Sequence, residues 1–357
     1  MVLAPFSSPA WCYASVAALA SSLISVPLNG FVLLSFLRDR HLQTPFGVYI
    51  IILMISNLAW VIFKQTLDII NNLYFYYWWL GEPLCKMYKY GTYVYSGVIL
   101  YLHVLITANR IWAITFPVAY RNYHSKQTAA ILCLAVVVFV NVVALPAYIV
   151  DLSYYALPAT IGCYIDIISV WGWLFLAQVV VYDLPVIFVA AAYPWLLIQY
   201  KTQRRTDLHR LETLAKGPTG TTKRMLKIEA AGSSGYASDS REAPPPPPGE
   251  KFKGPATVRL PASEGATKPR RRRVSSRAFL VISFLTASII VCWGPTQVYT
   301  TIMMFTLQEN KTADEVCFVL YVVQSVVDPI AFIFVLRDLR QSVHDRLRRW
   351  ARVFRCV

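Results

Sequence analysis

Long, nearly uncharged stretches constrain this chain more than any other feature of its sequence. A helix needs roughly 20 mostly apolar residues to cross the hydrocarbon core of a bilayer, and seven stretches of the chain are long enough. We predict spans 1 to 7 at 13–37, 46–73, 85–113, 127–150, 170–200, 278–308 and 316–336. Because backbone groups inside a bilayer must satisfy one another and no strand-like alternation is present, each span is predicted to be an α-helix.

The composition agrees with this prediction. Hydrophobic residues make up 56% of the chain and charged residues only 15%, a more apolar balance than soluble domains have. The alternative, a large soluble protein with buried helices, requires polar faces on most of these segments, and spans 4 and 6 have almost none. The predicted fold class is therefore an all-α membrane protein, a bundle of seven transmembrane helices over 13–336.

Positive charge alternates between the two sides of the predicted bundle. Lys and Arg gather after spans 1, 3, 5 and 7, and such segments are cytoplasmic by the positive-inside rule. Segment 1–12 is thus predicted to lie on the extracellular side of a multi-pass membrane protein. The opposite loops carry the acidic residues Glu82, Asp151, Asp166, Glu309, Asp314 and Glu315. The net charge of +15 is mainly an orientation signal that suits anionic lipid headgroups, and nucleic acid is not a predicted partner.

Two cytoplasmic segments differ in composition from the spans. Segment 201–277 is rich in Gly, Ser, Pro and charge and is predicted to be a mostly disordered third cytoplasmic loop with short helical extensions at its ends. In segment 337–357 one apolar stripe lies among arginines: Leu339, Val343, Leu347 and Trp350. This stripe predicts an amphipathic interfacial helix, helix 8, with a disordered basic tail as the alternative.

Short motifs inside the spans narrow the class of membrane protein. In chain order they are Asn29-Gly30, Leu42-Gln43-Thr44-Pro45, Trp78-Trp79-Leu80-Gly81, Asn109-Arg110-Ile111, Pro185 with Tyr193, Cys292-Trp293-Gly294-Pro295 and Asp328-Pro329-Ile330-Ala331-Phe332. A single proline in a membrane helix is usually a tolerated kink. Together, in this order and at these separations, the motifs resemble the rhodopsin-like family of G-protein-coupled receptors along nearly the whole chain outside the long loop.

The resemblance implies a cell-surface receptor that binds an extracellular ligand and activates heterotrimeric G proteins. A transporter or channel is the alternative, but it should show internal repeats and broken helices at matching positions, and the sequence shows none. A metal-ligand cluster, a nucleophile elbow and a phosphate loop are also missing from the sequence. Neither an enzyme nor a cofactor nor a metal site is therefore predicted.

The family's switch and coupling residues fall on seven positions of this chain: Asn109, Arg110, Tyr193, Trp293, Pro295, Pro329 and Phe332. Trp293 and Pro295 resemble the hinge of span 6, where the proline removes a backbone bond and bends the helix. Arg110 is expected to contact the G protein, because its fixed charge and donor fork suit carbonyls and carboxylates. Its usual acidic neighbour is replaced by Asn109.

Arrestin and kinases are further partners implied through the third cytoplasmic loop and the tail. The segment Arg271-Arg272-Arg273-Val274-Ser275-Ser276 resembles a basophilic kinase site, with a plain basic flank of span 6 as the alternative. A phosphate there would add negative charge beside the surface expected to meet the G protein. We expect such a modification to weaken coupling.

Span 7 carries Asp328 where the family usually has Asn, and span 2 carries Asn57 where it usually has Asp. The resemblance implies a polar cluster of Asn29, Asn57, Ser325 and Asp328, of the type that binds sodium in relatives. Ile99 occupies a position where relatives often supply a hydroxyl. A satisfied hydrogen-bond cluster without an ion is therefore an equally open alternative.

The cysteines and one asparagine carry predicted modifications. Cys85 and Cys163 are expected to form a disulfide that holds the second outer loop over the bundle, since both face an oxidising compartment. Cys12 and Cys317 are expected to stay unpaired. Cys356 in the basic tail is a palmitoylation candidate, and Asn310 in Asn310-Lys311-Thr312 is a glycosylation candidate.

The resemblance also places a ligand pocket, and it excludes two subfamilies. Thr92 stands where amine receptors have an Asp, and Val322 stands where opsins have the retinal lysine. The implied pocket is polar, aromatic and of mixed charge: Lys64, Asp68, Asn72, Lys89, Thr92, Tyr93, Ser96, Gln178, Thr296, Gln297, Thr300, Asp314 and Phe318. Beneath an acidic rim, such a lining favours a neuropeptide-like or other small polar ligand with a basic or hydrogen-bonding group. A non-peptide ligand is the alternative.

Overall fold

A computed structural model describes residues 9–74, 78–154, 163, 165, 170–215 and 276–354. Spans 1 to 4 are the helices Tyr13–Arg38, Pro45–Leu73, Glu82–Thr115 and Lys126–Tyr154. Span 5 consists of Trp171–Ala177, the π-helical turn Gln178–Asp183 and Leu184–Ala215. Span 6 consists of Ser276–Cys292 and Gly294–Thr306, and span 7 is Lys311–Val335. Short helix Pro117–Tyr123 joins spans 3 and 4, and Arg337–Phe354 follows span 7.

Six of these spans are continuous helices that are long and apolar enough to cross a membrane. Span 6 divides at Trp293, because Pro295 lies in the first turn of its second helix and has no N–H to continue the preceding turn. The two parts, Ser276–Cys292 and Gly294–Thr306, together supply the remaining crossing. The prediction of an all-α bundle is confirmed.

Spans 2, 3 and 5 each contain one π-helical turn, at Trp60–Gln65, Gly91–Tyr95 and Gln178–Asp183. Each turn lies in the half of its span that leads toward Cys85 and Cys163, and we call this end of the bundle the outer end. A π-turn inserts one residue and re-aims the side chains beyond it, and such turns are frequent at functional sites. The three turns therefore point to the outer half of the bundle as the location of a binding site.

The spans pack around one apolar core, which includes Leu100, Ile106, Trp293 and Phe332. Span 1 packs against spans 2 and 7, and span 7 packs against span 6. Span 3 passes so close to its neighbours that a methyl group on Gly97 would overlap Val181 and press on Val140. This central position allows span 3 to present side chains to several other spans at once.

The outward surface of the bundle is also apolar. Leu134 and Val142 on span 4 and Phe334 on span 7 are 63%, 66% and 65% exposed. Contiguous exposed apolar surface of this kind is rare on soluble monomers. It fits a bundle whose sides face lipid.

The chain divides into two compact units, Met1–Gln199 with Val274–Val357, and Tyr200–Arg273. Of the predicted loop, 201–215 is helical as part of Leu184–Ala215, 216–275 lies outside the described residues, and 276–277 begin the helix Ser276–Cys292. The predicted tail helix is present as Arg337–Phe354. Its residues Leu339 and Val343 are buried, as the apolar stripe requires. Cys356 and Ser275 lie outside the described residues.

Candidate functional site

The outer end is tied together by a disulfide between Cys85 and Cys163, with a Cα–Cα distance of 5.6 Å. Both cysteines are buried with Leu67 and Trp78. Trp78 donates from Nε1 to the Gly81 carbonyl at 2.9 Å, and Gly81 turns the chain into span 3 with φ of 82°, a conformation that favours glycine. The predicted disulfide is confirmed.

A cavity of about 530 Å³ opens at this end, and we call it the outer cavity. Spans 1, 2, 3 and 7 and the segment before span 7 supply its wall: Cys12, Ala14, Lys64, Asp68, Asn71, Asn72, Tyr88, Glu309, Lys311, Asp314, Glu315 and Phe318. Two lysines face four carboxylates here, a net charge of −2 when all are ionised. A cavity of this volume holds a small molecule or the end of a peptide.

Asp68 is the most buried carboxylate of the cavity wall, at 2% exposure. Its Oδ1 accepts hydrogen bonds from Lys64 Nζ at 2.6 Å and from the Tyr88 hydroxyl at 2.9 Å. The Lys64 ammonium also lies 4.8 Å from the centre of the Tyr88 ring and 5.2 Å from that of Trp60. Lys64 is therefore held by one carboxylate oxygen and two aromatic faces.

Two acceptor atoms in the same wall lack a donor. No donor among the described residues reaches Asp68 Oδ2 or Asn71 Oδ1, although both atoms are buried. A buried acceptor without a hydrogen bond costs about 1–3 kcal/mol, and most buried polar groups have a partner. The wall of the outer cavity thus contains a carboxylate oxygen and an amide oxygen that accept no hydrogen bond from the described residues.

Some of the residues predicted to form the ligand pocket line this cavity and others do not. Asp68, Asn72 and Phe318 line the outer cavity. Lys64 and Asp314, from the same prediction, also lie in the wall. The other predicted pocket residues do not line this cavity, because other parts of the bundle occupy their polar groups or bury them.

Lys89 is the clearest correction. Its ammonium lies 2.8 Å from the Asp151 carboxylate, and the two side chains are 1% and 0% exposed. Asp151, which the sequence placed in an acidic outer loop, instead belongs to span 4 and is buried against span 3. The opposite charges of Lys89 and Asp151, at the ends of spans 3 and 4, are visible in the sequence. Whether the two side chains face each other depends on how the helices are rotated, which the sequence does not show. A charge pair this deeply buried is part of the structure rather than open to a ligand.

Thr92, Tyr93 and Ser96 are also engaged within the bundle. The Thr92 hydroxyl donates to the Tyr88 carbonyl at 3.0 Å. The Tyr182 hydroxyl donates to the backbone carbonyls of Thr92 and Tyr93, and the Ser96 hydroxyl pairs with that of Tyr321 at 2.9 Å. These contacts fasten span 3 to spans 5 and 7 beneath the outer cavity.

The predicted pocket residues of spans 5 and 6 form a separate network. Gln178 donates from Nε2 to Gln297 Oε1 at 2.9 Å and to Asp183 at 3.0 Å. Thr296 donates to the Cys317 carbonyl at 3.1 Å. Thr300 is half-buried and is not part of the cavity wall. The network joins the π-turn of span 5 to span 6, so it positions the helices.

The predicted polar core is assembled around Asp328, which is fully buried. Asn57 donates from Nδ2 to Asp328 Oδ2 at 3.1 Å, and His103 Nε2 lies 3.0 Å from Oδ1. Gln324 also donates to Oδ1. His103 and Gln324 were missed from the sequence, although His103 is an ionisable residue inside an apolar span and that alone marks it for attention.

Asn29 and Ser325 lie one step farther from the carboxylate. Asn29 donates from Nδ2 to the Ser325 carbonyl at 2.8 Å, and its Oδ1 faces Asn57 at 3.4 Å. The Ser325 hydroxyl donates to the Val322 carbonyl at 3.1 Å. Ser325 thus joins the cluster through its backbone carbonyl.

At the opposite end of the bundle, the inner end, Arg110 lies over the Phe46 ring with Cζ 3.2 Å from its centre. Among the described residues no carboxylate forms an ion pair with Arg110, as the replacement of its acidic neighbour by Asn109 predicts. Asn109 instead accepts from the Tyr120 hydroxyl at 3.2 Å and contacts His124. Burial lowers the pKa of the His124 imidazole, so its neutral form is favoured.

An aromatic series connects the outer cavity with the hinge of span 6. Phe318 in the cavity wall lies 6.5 Å from Tyr321, whose ring meets Trp293 edge to face at 4.6 Å and Trp60 at 4.9 Å. Phe332 is buried farther along span 7, and Pro329 lies inside that helix. Tyr193 lies in Leu184–Ala215.

The remaining predicted modification sites lie near the outer cavity. Cys12 and Cys317 form no disulfide, and Cys12 Sγ contacts the Ser15 hydroxyl at 2.8 Å. Asn310 caps span 7 by accepting from the Ala313 N–H at 3.1 Å. That bond uses the Asn310 oxygen and leaves its exposed amide nitrogen, the atom that a glycan would modify, outside the cap.

Comparison with known proteins gives one extended match and several partial ones. The profile of the family described as 7 transmembrane receptor (rhodopsin family) matches residues 28–332. Cysteinyl leukotriene receptor 1 of Sus scrofa is 29% identical over 126 residues, which are 35% of this chain and 36% of that receptor. 5-hydroxytryptamine receptor 1B of Mus musculus is 21% identical over 366 residues, 97% of this chain and 89% of that receptor.

Histamine H1 receptor of Rattus norvegicus is 25% identical over 230 residues, 62% of this chain and 45% of that receptor. The chain thus spans little more than a third of the leukotriene receptor's length and most of the length of the 5-hydroxytryptamine receptor. The family profile, in contrast, runs from span 1 to the end of the Asp328-Pro329-Ile330-Ala331-Phe332 motif. The chain therefore belongs to the rhodopsin family of seven-transmembrane receptors.

Proposed function

We propose that this chain is a plasma-membrane receptor that binds an extracellular ligand with a basic, hydrogen-bond-donating group and activates heterotrimeric G proteins. Segment 1–12 and the outer cavity face the outside of the cell in this proposal, and the basic inner segments face the cytoplasm. The observation that carries the proposal is Asp68 Oδ2, a buried carboxylate oxygen that no described donor reaches, in the wall of an acidic cavity.

The chemistry of the outer cavity favours a cation as its ligand. A protonated amine or guanidinium brings several N–H donors, which match Asp68 Oδ2 and Asn71 Oδ1. Glu309, Asp314 and Glu315 at the rim add negative charge, which attracts a cation and disfavours an anion. An arginine or lysine side chain of a peptide satisfies these demands, and the open rim accommodates the rest of the peptide.

Small non-peptide amines are the second candidate, because the leukotriene, 5-hydroxytryptamine and histamine receptors are named for non-peptide compounds. In this chain the amine would bind Asp68 of span 2. The span 3 position that resembles the amine-binding Asp is Thr92, whose hydroxyl is already bonded to Tyr88. A peptide is favoured because Glu309, Asp314 and Glu315 add three carboxylates to Asp68 in the wall, more than one small amine can pair with.

The aromatic series provides a route from ligand to G protein. A ligand against Phe318 acts on Tyr321 and then on Trp293, where span 6 divides. Only a ligand that binds the two arrangements of the hinge with different affinity can shift their populations. Arg110 at the inner end is the residue proposed to meet the G protein. The loop 201–277 and the tail are proposed to meet kinases and arrestin.

The direct test is a compound panel applied to cells that express the chain with a promiscuous Gα subunit. The panel holds amidated Arg- and Lys-containing peptides, small amines, and neutral and acidic analogues of the same peptides. We expect nucleotide exchange to rise with at least one cationic peptide in wild type and not in Arg110→Ala at equal surface expression. Activation by acidic compounds alone, or an equal response in Arg110→Ala, contradicts the proposal.

A further inference from the structure

The carboxylate of Asp328 is surrounded by donors rather than by the oxygen ligands of a cation. His103 and Gln324 present nitrogen atoms to Oδ1, and Asn57 presents its amide nitrogen to Oδ2. Small hard cations require oxygen lone pairs around them, and Ile99 offers no side-chain oxygen. The residues present therefore do not fit the sodium ion that the family resemblance implies for this core.

The orientations of the Asn29 and Asn57 amides are fixed by backbone contacts of Asn29. Asn29 Nδ2 lies 2.9 Å from the Ser25 carbonyl and 2.8 Å from the Ser325 carbonyl, and both of these oxygens can only accept. Asn29 Oδ1 must therefore face Asn57, which donates to it at 3.4 Å and to Asp328 at 3.1 Å. Turning either amide over would set oxygen against oxygen, so Asn57 is a donor to the carboxylate.

The histidine ring has an acceptor at each nitrogen. Nδ1 of His103 lies 2.8 Å from the Ile99 carbonyl, and Nε2 lies 3.0 Å from Asp328 Oδ1. A neutral imidazole has a single N–H, whereas the imidazolium has two. Hydrogen bonds to the ionised form of a carboxylate stabilise that form, and Asp328 accepts them from Asn57 and Gln324. The proton between the two groups is thus placed on His103.

We propose that His103 is a protonated imidazolium that serves as the resident cation of this core. It takes the part that a sodium ion would otherwise take, as the positive partner of Asp328, and both side chains are fully buried. Through the carboxylate it joins span 3 to span 7, and Asn57 brings in span 2. The cation is covalently part of the chain, so the core does not depend on the external sodium concentration. The proposal needs no ligand and does not rest on the proposed function.

The protonation state can be observed directly. Of the five histidines in the sequence, His103 is assigned by comparing ¹⁵N-histidine NMR spectra of wild type and His103→Gln, both purified in lipid nanodiscs at neutral pH. We expect one pair of ring nitrogen signals with imidazolium shifts in wild type, and its loss in the variant. A neutral tautomer at His103, with one protonated and one bare nitrogen, overturns the proposal.

Sodium dependence provides an independent readout. We expect the melting temperature of wild type to be the same in sodium chloride and in choline chloride at equal ionic strength. His103→Ser removes the resident cation and leaves a hydroxyl beside Asp328, so this variant should gain a sodium-dependent rise in melting temperature. Adding Asp328→Asn to His103→Ser should abolish that gain. The control is Ser288→Ala: Ser288 is buried in the same core with its hydroxyl 3.4 Å from Gln324 Nε2, and the change leaves the donors to the carboxylate in place.

Two outcomes contradict the proposal in this experiment. A sodium-dependent rise in wild type or in Ser288→Ala shows that an ion occupies the core in addition to His103. A folded His103→Ser variant that shows no sodium dependence shows that the histidine does not fill an ion's place. Should His103→Ser not fold, the wild-type salt comparison and the NMR assignment still decide the matter.

Discussion

Two buried aspartates, Asp68 at the outer cavity and Asp328 in the polar core, have the same chemistry and different surroundings. Each has one basic side chain beside Oδ1, Lys64 for Asp68 and His103 for Asp328. At Asp328 the second oxygen also has a donor, Asn57, whereas no described residue donates to Asp68 Oδ2. A fully satisfied buried carboxylate holds the structure together. Asp68, with an unused oxygen in a cavity wall, is the carboxylate that we propose binds the ligand.

Lys89 and Asp151 resemble the Asp328 pair rather than the outer cavity, because their charges are buried against each other. Their side chains are both essentially unexposed, and they lie outside the cavity wall. Burial of the pair takes Lys89 away from the ligand pocket in which the sequence placed it. A charged residue inside a span can therefore belong to the packing of the bundle rather than to a ligand pocket.

The largest effect is expected from breaking the core pair. Asp328→Ala leaves buried His103 without its counter-charge and leaves Asn57 and Gln324 without their acceptor, and loss of one partner from a buried pair costs about 3–5 kcal/mol. We expect loss of surface expression and a large fall in the melting temperature of purified receptor. The double variant His103→Leu/Asp328→Leu removes both charges and should recover most of the lost stability. A stable Asp328→Ala single variant would contradict the assignment of this carboxylate to the structure.

The disulfide at the outer end should have the next largest effect. Cys85→Ser or Cys163→Ser opens a bridge across 78 residues of sequence, and loss of a native disulfide typically costs about 2–5 kcal/mol. We expect lower surface expression and loss of the ligand response, measured by flow cytometry and by nucleotide exchange. Cys317→Ser, at a cysteine outside the bridge, is the matched control. Full retention of both readouts in Cys85→Ser would show that the bridge is dispensable.

A smaller effect is expected at the inner end, where Arg110 has no acidic partner among the described residues. Asn109→Asp restores an adjacent carboxylate, and such a partly exposed pair is worth on the order of 1 kcal/mol, or severalfold in a two-state equilibrium. We expect basal nucleotide exchange to fall at matched surface expression. Phe332 acts in the opposite direction, because it lacks the hydroxyl with which relatives stabilise the active state toward the tyrosine of span 5, here Tyr193. An unchanged or higher baseline in Asn109→Asp would refute the prediction.

The smallest effect concerns pH. Burial lowers the pKa of His124. As pH falls through about 6.5, the His124 side chain of the unfolded chain takes up a proton, while that of the folded protein stays neutral. The stabilising contribution is complete above the unfolded pKa and is lost as pH falls below it. We expect the difference in melting temperature between wild type and His124→Gln to shrink when pH is lowered from about 7.5 to about 5.5. A difference that grows toward low pH would reverse the sign and contradict the assignment.

The architecture was accessible from the sequence because it depends on properties of single segments. Span length, apolar content and the position of Pro295 indicated the helices and the break in span 6, and the motifs indicated the Cys85–Cys163 bridge. Partnerships between spans were less accessible, since they depend on how each helix is rotated. His103 reaches Asp328 and Lys89 reaches Asp151 across 225 and 62 positions of sequence, and neither separation has a local signal. The same rotation decides that Asp68 lines the outer cavity and that Thr92 does not.

Ligand binding at Asp68 is tested most directly by the potency of an active cationic peptide from the panel. Potency is measured on wild type, Asp68→Asn and Glu82→Gln at equal surface expression. A charge-assisted hydrogen bond contributes about 1.5–3 kcal/mol, so Asp68→Asn should weaken potency by roughly ten- to a hundredfold. Glu82 is exposed, pairs with Lys86 and is not part of the cavity wall, so Glu82→Gln should respond like wild type. Equal potency on wild type and Asp68→Asn would show that the unused carboxylate oxygen is not where the ligand binds.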